Sequence, residues 1–247
     1  MPFTSAGRSR AARGGVAVYI KDELAAGAHL ERRCEGGRFG WLRLDEIVGL
    51  PVPLHIGASY IPPRSSPAAD ADNAHAIDTL EELACQVEDG ALVVIAGDLN
   101  AHTGALGHPR RRSADAARRP CARGLRVLEL CENASLSIAN GTVPGTTSDD
   151  FTFIGHQGSS VVDYFLLCKT LMGAATSREI ERHPFLGADH AALRLRFGAL
   201  HVAAAAPPAG GTIPTLSPVP KFIDLTPEQV ADYEARLSSA EVAAELE

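Results

Sequence analysis

The sequence predicts an α/β fold in which two β-sheets pack together and helices cover the outside. Three observations predict it: short apolar segments with strand character recur along most of the chain, few segments have helical spacing, and several strands follow one another directly. A doubly wound parallel sheet would instead alternate strands and helices. With 247 residues, 45% of them hydrophobic, the chain is long enough for one medium domain and a tail.

The first half of the chain predicts four strands and one helix. A strand over 16–20 follows two glycines, and strands over 39–44 and 54–61 continue it as an antiparallel meander that ends at a Pro-Pro pair. Apolar residues at three- and four-residue spacing predict an amphipathic helix over 73–87. The apolar run over 92–96 predicts a strand that is buried on both faces.

The second half predicts one helix and five strands before the composition changes. The helix covers 123–132, and the strands cover 136–139, 151–154, 160–167, 178–183 and 190–197. The predicted domain organisation is a flexible arginine-rich start at 1–13, a folded domain over 14–199, an Ala/Pro-rich linker over 200–226 and an acidic helix or tail over 227–247.

Composition narrows the classes of protein to consider. No run approaches the roughly 20 apolar residues of a membrane span, and the start has no apolar signal segment, so no membrane partner or secretion is expected. The five cysteines are odd in number and lack C-x-x-C spacing, which predicts no disulfide-linked partner and a reducing compartment, cytoplasmic or nuclear. The Arg-rich start also fits an organelle address, but we favour the interpretation that it is a loop cut from a longer chain.

The formal charge of −7 is unevenly distributed. Residues 108–126 contain seven arginines and one aspartate, among them Arg110, Arg111 and Arg112. Such a segment fits a surface that grips a phosphate backbone, and it fits a solvated low-complexity loop as well.

The first candidate site follows the strand over 92–96. Gly97 permits a sharp turn, so Asp98 and Asn100 emerge together at the end of a rigid strand. A carboxylate beside an amide suits a hard cation, a water molecule or a phosphate. The same residues also fit an ordinary Asx turn.

Two later segments supply complementary groups. Asp163 interrupts an apolar strand, and a buried carboxylate needs a partner. Asp189 and His190 stand immediately before the last strand, and His190 is the natural partner of Asp163. A carboxylate that orients an imidazole raises its basicity and fixes its tautomer, which prepares it to meet a phosphate or to move a proton. The alternative is a structural pair far from Asp98.

In this order the motifs resemble those of the endonuclease/exonuclease/phosphatase superfamily. They are YIPP at 60–63, GDLN at 97–100, TF at 152–153, SVVDY at 160–164 and DH at 189–190. The segments GGVAVYI and GDLNAHTG are similar to the endonuclease domain of LINE-type (non-LTR) retrotransposons. The resemblance covers about 14–198 and implies a DNase I-like fold, a four-layered α/β/β/α sandwich of two mixed sheets, here lacking its first strands.

The resemblance also implies Mg²⁺-dependent (or Mn²⁺-dependent) hydrolysis of phosphate esters, with roles for particular residues. Asp98 positions or deprotonates the attacking water, and Asn100 holds that water or a phosphoryl oxygen. His190 stabilises the developing charge and Asp163 orients it. These groups supply what phosphoryl transfer mainly needs, which is positioning and charge neutralisation.

Further residues are implied to bind substrate and metal. Tyr60 matches a phosphate-contacting tyrosine, and Asp189 matches a carboxylate near the metal, to which Asp98 also contributes. Arg110, Arg111 and Arg112 are expected to contact the DNA phosphate backbone. Trp41 is interpreted as a core residue, and His102, His108 and His156 as polar loop residues.

The family's two earliest motifs, which bear an asparagine and the principal metal-binding glutamate, have no match in this sequence. We therefore interpret the chain as N-terminally truncated and expect weak or absent Mg²⁺ binding and poor nicking of DNA. Three functions stay open: a retroelement-type DNA endonuclease domain, a non-catalytic remnant or nucleic-acid-binding module of the same fold, and a phosphatase or lipid phosphodiesterase of the superfamily.

Overall fold

The structure is a computed structural model that describes residues 15–34, 36–46, 50, 52–63, 67–106, 114, 117–145, 151–156, 158–182 and 188–200. The chain divides into two compact units, Met1–Pro208 and Ala209–Glu247. The predicted start, most of the linker, the terminal helix, His108 and Arg110, Arg111 and Arg112 lie outside the described residues. The predictions about them therefore stay predictions.

A six-stranded sheet with the order β1-β2-β3-β4-β8-β5 forms the centre of the fold. Its strands are β1 (Ala28–Arg33), β2 (Phe39–Leu44), β3 (Leu54–Tyr60), β4 (Leu92–Asp98), β5 (Leu136–Ile138) and β8 (Asp163–Cys168). Strands β3 and β4 pair in parallel, and the other pairs are antiparallel. The sheet is therefore mixed, and the predicted antiparallel pairing of β2 with β3 is confirmed.

Helices cover one face of this sheet. Helix α2 (Pro67–Cys85) connects β3 to β4, because parallel neighbours need a crossover, and α3 (Ala122–Asn133) precedes β5. Their buried residues pack with strand residues that include Trp41, Ile95 and Leu166. Trp41 is 1% exposed, so the prediction that it belongs to the core is confirmed.

The opposite face of the sheet carries the second sheet. Leu92 and Leu167 point to this side, since successive residues of a strand alternate between faces. Helix α4 (Lys169–Ala174) and the antiparallel pair β9 (Ala175–Glu181) and β10 (Ala192–Phe197) contribute residues to the same cluster. The predicted α/β class, with packed sheets and helices outside, is confirmed.

The remaining elements are short. Helix α1 (Asp22–Ala25) precedes β1, and β6 (Phe153–Gly155) pairs with β7 (Gly158–Ser160) as a third, two-stranded sheet. None of the helices in the described part of the chain is long and apolar enough to cross a membrane.

The first predicted strand is wrong. Residues 16–20 join no sheet within the described residues, and Tyr19 is 78% exposed. A strand needs a ladder partner as well as an apolar sequence. The first strand is instead β1, whose mostly polar sequence AHLERR gives little apolar alternation. Helix α2 also begins six residues earlier than predicted, because its first six residues, PAADAD, include no large apolar residue at helical spacing.

Candidate active site

Three polar residues stand in one row where strands of the central sheet end or begin. Tyr60 ends β3, Asp98 ends β4 and Asp163 begins β8. The register pairs Tyr60 with Asp98 and Asp98 with Asp163. Since paired residues share a face of the sheet, the structure brings these three predicted site residues together.

Gly97 allows β4 to approach β3 closely at this row. Its φ of 142° lies in a region that favours glycine, and a Cβ there would stand 1.8 Å from the carbonyl oxygen of Ser59. Any side chain at this position would push the strands apart. The glycine therefore fixes where Asp98 emerges.

Asn100 is folded back onto Asp98. Its backbone N–H donates to Asp98 Oδ1 at 2.8 Å, so the Asx turn allowed by the sequence is present. Its Nδ2 donates to Asp98 Oδ2 at 2.7 Å and to the Ile61 carbonyl at 3.1 Å. Among the described residues no donor reaches its Oδ1. The φ of Asn100 is 44°, the left-handed conformation that asparagine tolerates better than most residues.

His190 pairs with Asp163, as the sequence predicts. Its Nδ1 lies 3.1 and 3.0 Å from the two carboxylate oxygens of Asp163. Because a carboxylate only accepts, Nδ1 carries the hydrogen. The other ring nitrogen, Nε2, is 4.0 Å from Asp98 Oδ2. The alternative of a structural pair remote from Asp98 does not hold.

Backbone pairing holds His190 in this position. The segment around it bridges to β6: Ile154 N–H donates to the Asp189 carbonyl and Ala191 N–H donates to the Thr152 carbonyl, both at 2.8 Å. The Phe153 ring meets the imidazole edge to face, with centroids 5.1 Å apart. The ring orientation is therefore set by β6 as well as by Asp163.

The electrostatics of the row formed by Tyr60, Asp98 and Asp163 favour the binding of a proton or a cation. Burial and, secondly, the charge of Asp163 raise the pKa of Asp98 from 3.8 to about 6. The hydrogen bond from Asn100 and the charges of His190 and Arg123 oppose this rise. The hydrogen bond to Asp163 raises the pKa of His190, and the charges of Asp163, Asp98 and Asp189 add to that rise, although burial opposes it.

Asp98, Asp163 and His190 form a group whose potential ligand atoms all lie within 4.8 Å of one another. Two partly buried carboxylates that face one point fit a hard divalent cation that keeps several of its waters. The imidazole nitrogen is a poorer ligand for such an ion. Asp189 is exposed, lies outside this group and acts on His190 through its charge.

The described arginines of the basic segment have different environments. Arg118 and Arg119 are exposed, and Arg118 Nη2 donates to the Ser159 carbonyl. Arg126 is held by Asp78 and Glu129, and Arg123 is 8% exposed. The segment as a whole is therefore not a free basic surface, and two of its arginines belong to the packing of α3.

Three supporting residues received no role from the sequence. Thr152 Oγ1 accepts from the N–H groups of Val162 and Asp163 at 3.0 and 3.1 Å, which fixes the start of β8. Asn140 Nδ2 donates to the Asp163 carbonyl at 2.9 Å. Arg123 donates to the carbonyl of Asn100. Their partners are backbone atoms of other segments. The TF motif marks Thr152 in the sequence without giving it a role, and nothing in the sequence marks Asn140 or Arg123.

Comparison with known proteins gives one family. The sequence model of the Endonuclease/Exonuclease/phosphatase family matches residues 2–190. A search of curated protein sequences finds no match.

Several solved structures are similar. An AP endonuclease from Archaeoglobus fulgidus has 15% identity and a TM-score of 0.48, with 68% of each chain covered. The endonuclease domain of TRAS1, a telomere-specific non-LTR retrotransposon, has 14% identity and a TM-score of 0.48, covering 70% of this chain and 68% of that one. A 3' phosphatase from Neisseria bound to a product DNA hairpin has 10% identity and a TM-score of 0.47, covering 69% and 70%.

Proposed function

The chain belongs to the Endonuclease/Exonuclease/phosphatase family, and on that premise we propose that it hydrolyses phosphodiester bonds in DNA with the help of Mg²⁺ or Mn²⁺. The observation that carries the proposal is the placement of His190 Nε2 4.0 Å from Asp98 Oδ2 while Nδ1 is fixed by Asp163. The Asp98 carboxylate, which can accept a proton, and the His190 imidazole, which can carry a positive charge, thus face each other beside the ends of the central strands.

Asp98 is the residue that orients the attacking water and accepts its proton. Its carboxylate is 11% exposed, and both of its oxygens accept from Asn100, so the remaining lone pairs have a fixed direction. A carboxyl group with a pKa of about 6 is a stronger base than an ordinary aspartate and is still mostly ionised at pH 7.

His190, oriented by Asp163, stabilises the negative charge that develops on the phosphoryl oxygens. Asp163 favours the imidazolium form of His190, which can donate from Nε2 to a phosphoryl oxygen. Asn100 Oδ1 would accept a hydrogen bond from the water that Asp98 orients. Tyr60, one register position along the row, supplies a hydroxyl for phosphate contact.

Asp98 and Asp163 would hold the cation, with Asp189 at the rim of the site. A bound cation supplies neutralisation of phosphate charge in the transition state. Because only these two carboxylates of the described residues meet at the row, we expect weak cation affinity, so that nicking requires high Mg²⁺ or Mn²⁺ concentrations.

DNA is the proposed substrate and a retroelement the proposed source of the domain. The segments GGVAVYI and GDLNAHTG support the retroelement type, and exposed arginines after the site, Arg118 and Arg119, support a polymeric phosphate substrate. Arg110, Arg111 and Arg112 are proposed to extend this contact.

Nicking of supercoiled plasmid by the full chain, over a titration of Mg²⁺ and Mn²⁺, tests the proposal. We expect slow, cation-dependent nicking that disappears in Asp98→Ala and His190→Ala. The exposed residues Asp89 and His75 provide matched controls, and Asp89→Ala and His75→Ala should nick like the wild type. Absence of nicking at every cation concentration would contradict the proposal and favour the non-catalytic remnant.

A further inference from the structure

Arg123 connects the two strand exits that carry the site. Its Nη1 donates to the carbonyl of Pro62 at 3.0 Å and to the carbonyl of Asn100 at 3.1 Å. Pro62 lies two residues beyond Tyr60 at the exit of β3, and Asn100 lies two residues beyond Asp98 at the exit of β4. We infer that Arg123 is a positioning residue for phosphodiester hydrolysis, through the carbonyls it holds, and not a DNA-binding residue of the basic segment. This inference rests on the proposed function.

The carbonyl that Arg123 holds belongs to a residue in a demanding conformation. Asn100 is left-handed, and its side chain must reach both Asp98 and the Ile61 carbonyl. Left-handed asparagine persists where surrounding contacts over-determine it. The guanidinium fixes the peptide unit that follows Asn100 and so restricts rotation of that residue. Asp98 in turn is aimed by the two hydrogen bonds from Asn100.

The groups around the Arg123 guanidinium hold it in one position. Asp70 Oδ1 lies 3.7 Å from Nη2, which compensates the buried charge. Asn73, 1% exposed, donates from Nδ2 to the Pro62 carbonyl at 3.2 Å, so α2 holds the same acceptor from a second direction. A planar guanidinium can hold two carbonyls in fixed geometry, whereas a lysine ammonium on its flexible stem cannot reproduce that geometry.

Helix α3, which carries Arg123, packs closely against the loop that follows Asn100. The Cys121 N–H donates to the His102 carbonyl at 3.0 Å, and the His102 N–H donates to Cys121 Sγ at 3.3 Å. A Cβ on Gly124 would stand 1.8 Å from the His102 carbonyl oxygen. The first turn of α3 is therefore held at His102 by the backbone and the sulfur of Cys121, which fixes the position of Arg123 relative to Asn100.

Arg119 offers a matched control in the same basic segment. It is exposed, and among the described residues no carbonyl or carboxylate accepts from it. An exposed arginine that neutralises a phosphate contributes to affinity and to its salt dependence. A buried arginine that positions a catalytic loop contributes to kcat. The two arginines should therefore have opposite kinetic signatures.

The test measures kcat, KM and the salt dependence of KM for nicking of a short duplex by wild type, Arg123→Lys, Arg123→Ala and Arg119→Ala. We expect both Arg123 variants to lose about 100-fold in kcat with KM and the salt slope unchanged. Arg119→Ala should keep kcat, raise KM and reduce the salt slope by about 1. Guanidinium ion at millimolar concentration should partly restore kcat of Arg123→Ala, relative to equal sodium chloride, and should not restore Asp98→Ala.

Amide hydrogen exchange keeps the inference testable if the wild type proves inactive or a variant is destabilised. We expect exchange of the Asn100 N–H to accelerate at least 10-fold in Arg123→Lys while that of Leu130, in the middle of α3, is unchanged. Unchanged kcat and unchanged exchange at Asn100 would overturn the inference. The inference would also be overturned if the Arg123 variants kept the wild-type kcat but had a higher KM and a smaller salt slope, because Arg123 would then be a DNA contact. Absence of wild-type nicking with altered exchange at Asn100 would count against the proposed function alone.

Discussion

Replacing Asp98 by asparagine should change how the stability of the cation-free protein depends on pH. The folded-state pKa of Asp98 is about 6, above the ordinary value of 3.8, because the carboxyl is buried beside Asp163. The folded protein therefore binds this proton more tightly than the unfolded chain does. Stability is lost as pH rises from about 4 to about 6, and the loss amounts to about 3 kcal/mol.

The measurement is urea unfolding of wild type and Asp98→Asn in EDTA at pH 4 and pH 8. Asparagine carries no charge at either pH, so the stability of the variant relative to wild type should rise by about 2.5 kcal/mol between pH 4 and pH 8. This is slightly less than the full loss, because the unfolded carboxyl is already partly ionised at pH 4. The altered hydrogen bonds to Asn100 contribute equally at both pH values and cancel in this difference. Asp89→Asn, at an exposed position, should show almost no change.

A relative change below about 1 kcal/mol would refute the reasoning, because Asp98 would then titrate like an exposed carboxyl despite its burial. A change of the opposite sign would mean that the folded protein stabilises the ionised form. In that case His190 and Arg123 would outweigh burial and Asp163 at this position.

Three further substitutions test other contacts of the site. Gly124→Ala should displace the loop at His102, since its Cβ would meet that carbonyl at 1.8 Å; we expect a loss of about 2 kcal/mol or more by thermal unfolding and a fall in kcat. Thr152→Val leaves two N–H groups without their acceptor, one of them that of Asp163, and should cost about 2 kcal/mol in urea unfolding. Asp163→Asn removes the main contact that raises the pKa of His190, so NMR titration should show that pKa lowered.

Each of these three predictions has a control variant or a result that would contradict it. Thr79→Val removes an exposed hydroxyl that bonds only the backbone of its own helix, and it should leave stability nearly unchanged. Equal losses in the two threonine variants would mean that Thr152 does not hold the start of β8. Gly173, with no atom near a Cβ, gives the control for Gly124. An unchanged His190 titration in Asp163→Asn would deny the pairing in solution.

The central part of the site was predictable because its information is local. A glycine after a buried apolar run, followed by Asp98 and Asn100, specifies a turn at a strand end, and one long-range step, the pairing of Asp163 with His190, was also predictable. That step follows from the cost of burying a carboxylate alone. The sheet face and the order of β2, β3 and β4 follow from apolar alternation and from a helix long enough for a crossover.

The supporting contacts were not predictable, because each joins a side chain to a distant backbone atom. Arg123 lies in a basic segment whose composition indicates solvent or nucleic acid, yet the structure buries it against two carbonyls. Strand β1 has only two apolar residues with strand spacing, and its place in the sheet depends on its partner β2. The apolar segment over 16–20 has the opposite property, a strand-like sequence with no partner among the described residues.

The fixed distance between Asp98 and Asp163 links cation binding to the basicity of the site. Their strands are joined by ladder hydrogen bonds, so the backbones that carry the two carboxylates cannot move apart to relieve the repulsion. Protonation of Asp98 relieves it but removes the base that the reaction needs. A divalent cation held by these carboxylates would relieve it while leaving Asp98 ionised, because cation and proton compete for the same charge. The closeness of Asp98 and Asp163 therefore lowers the stability of the cation-free protein above pH 6. The same closeness would favour an ionised Asp98, able to act as a base, when a cation is bound.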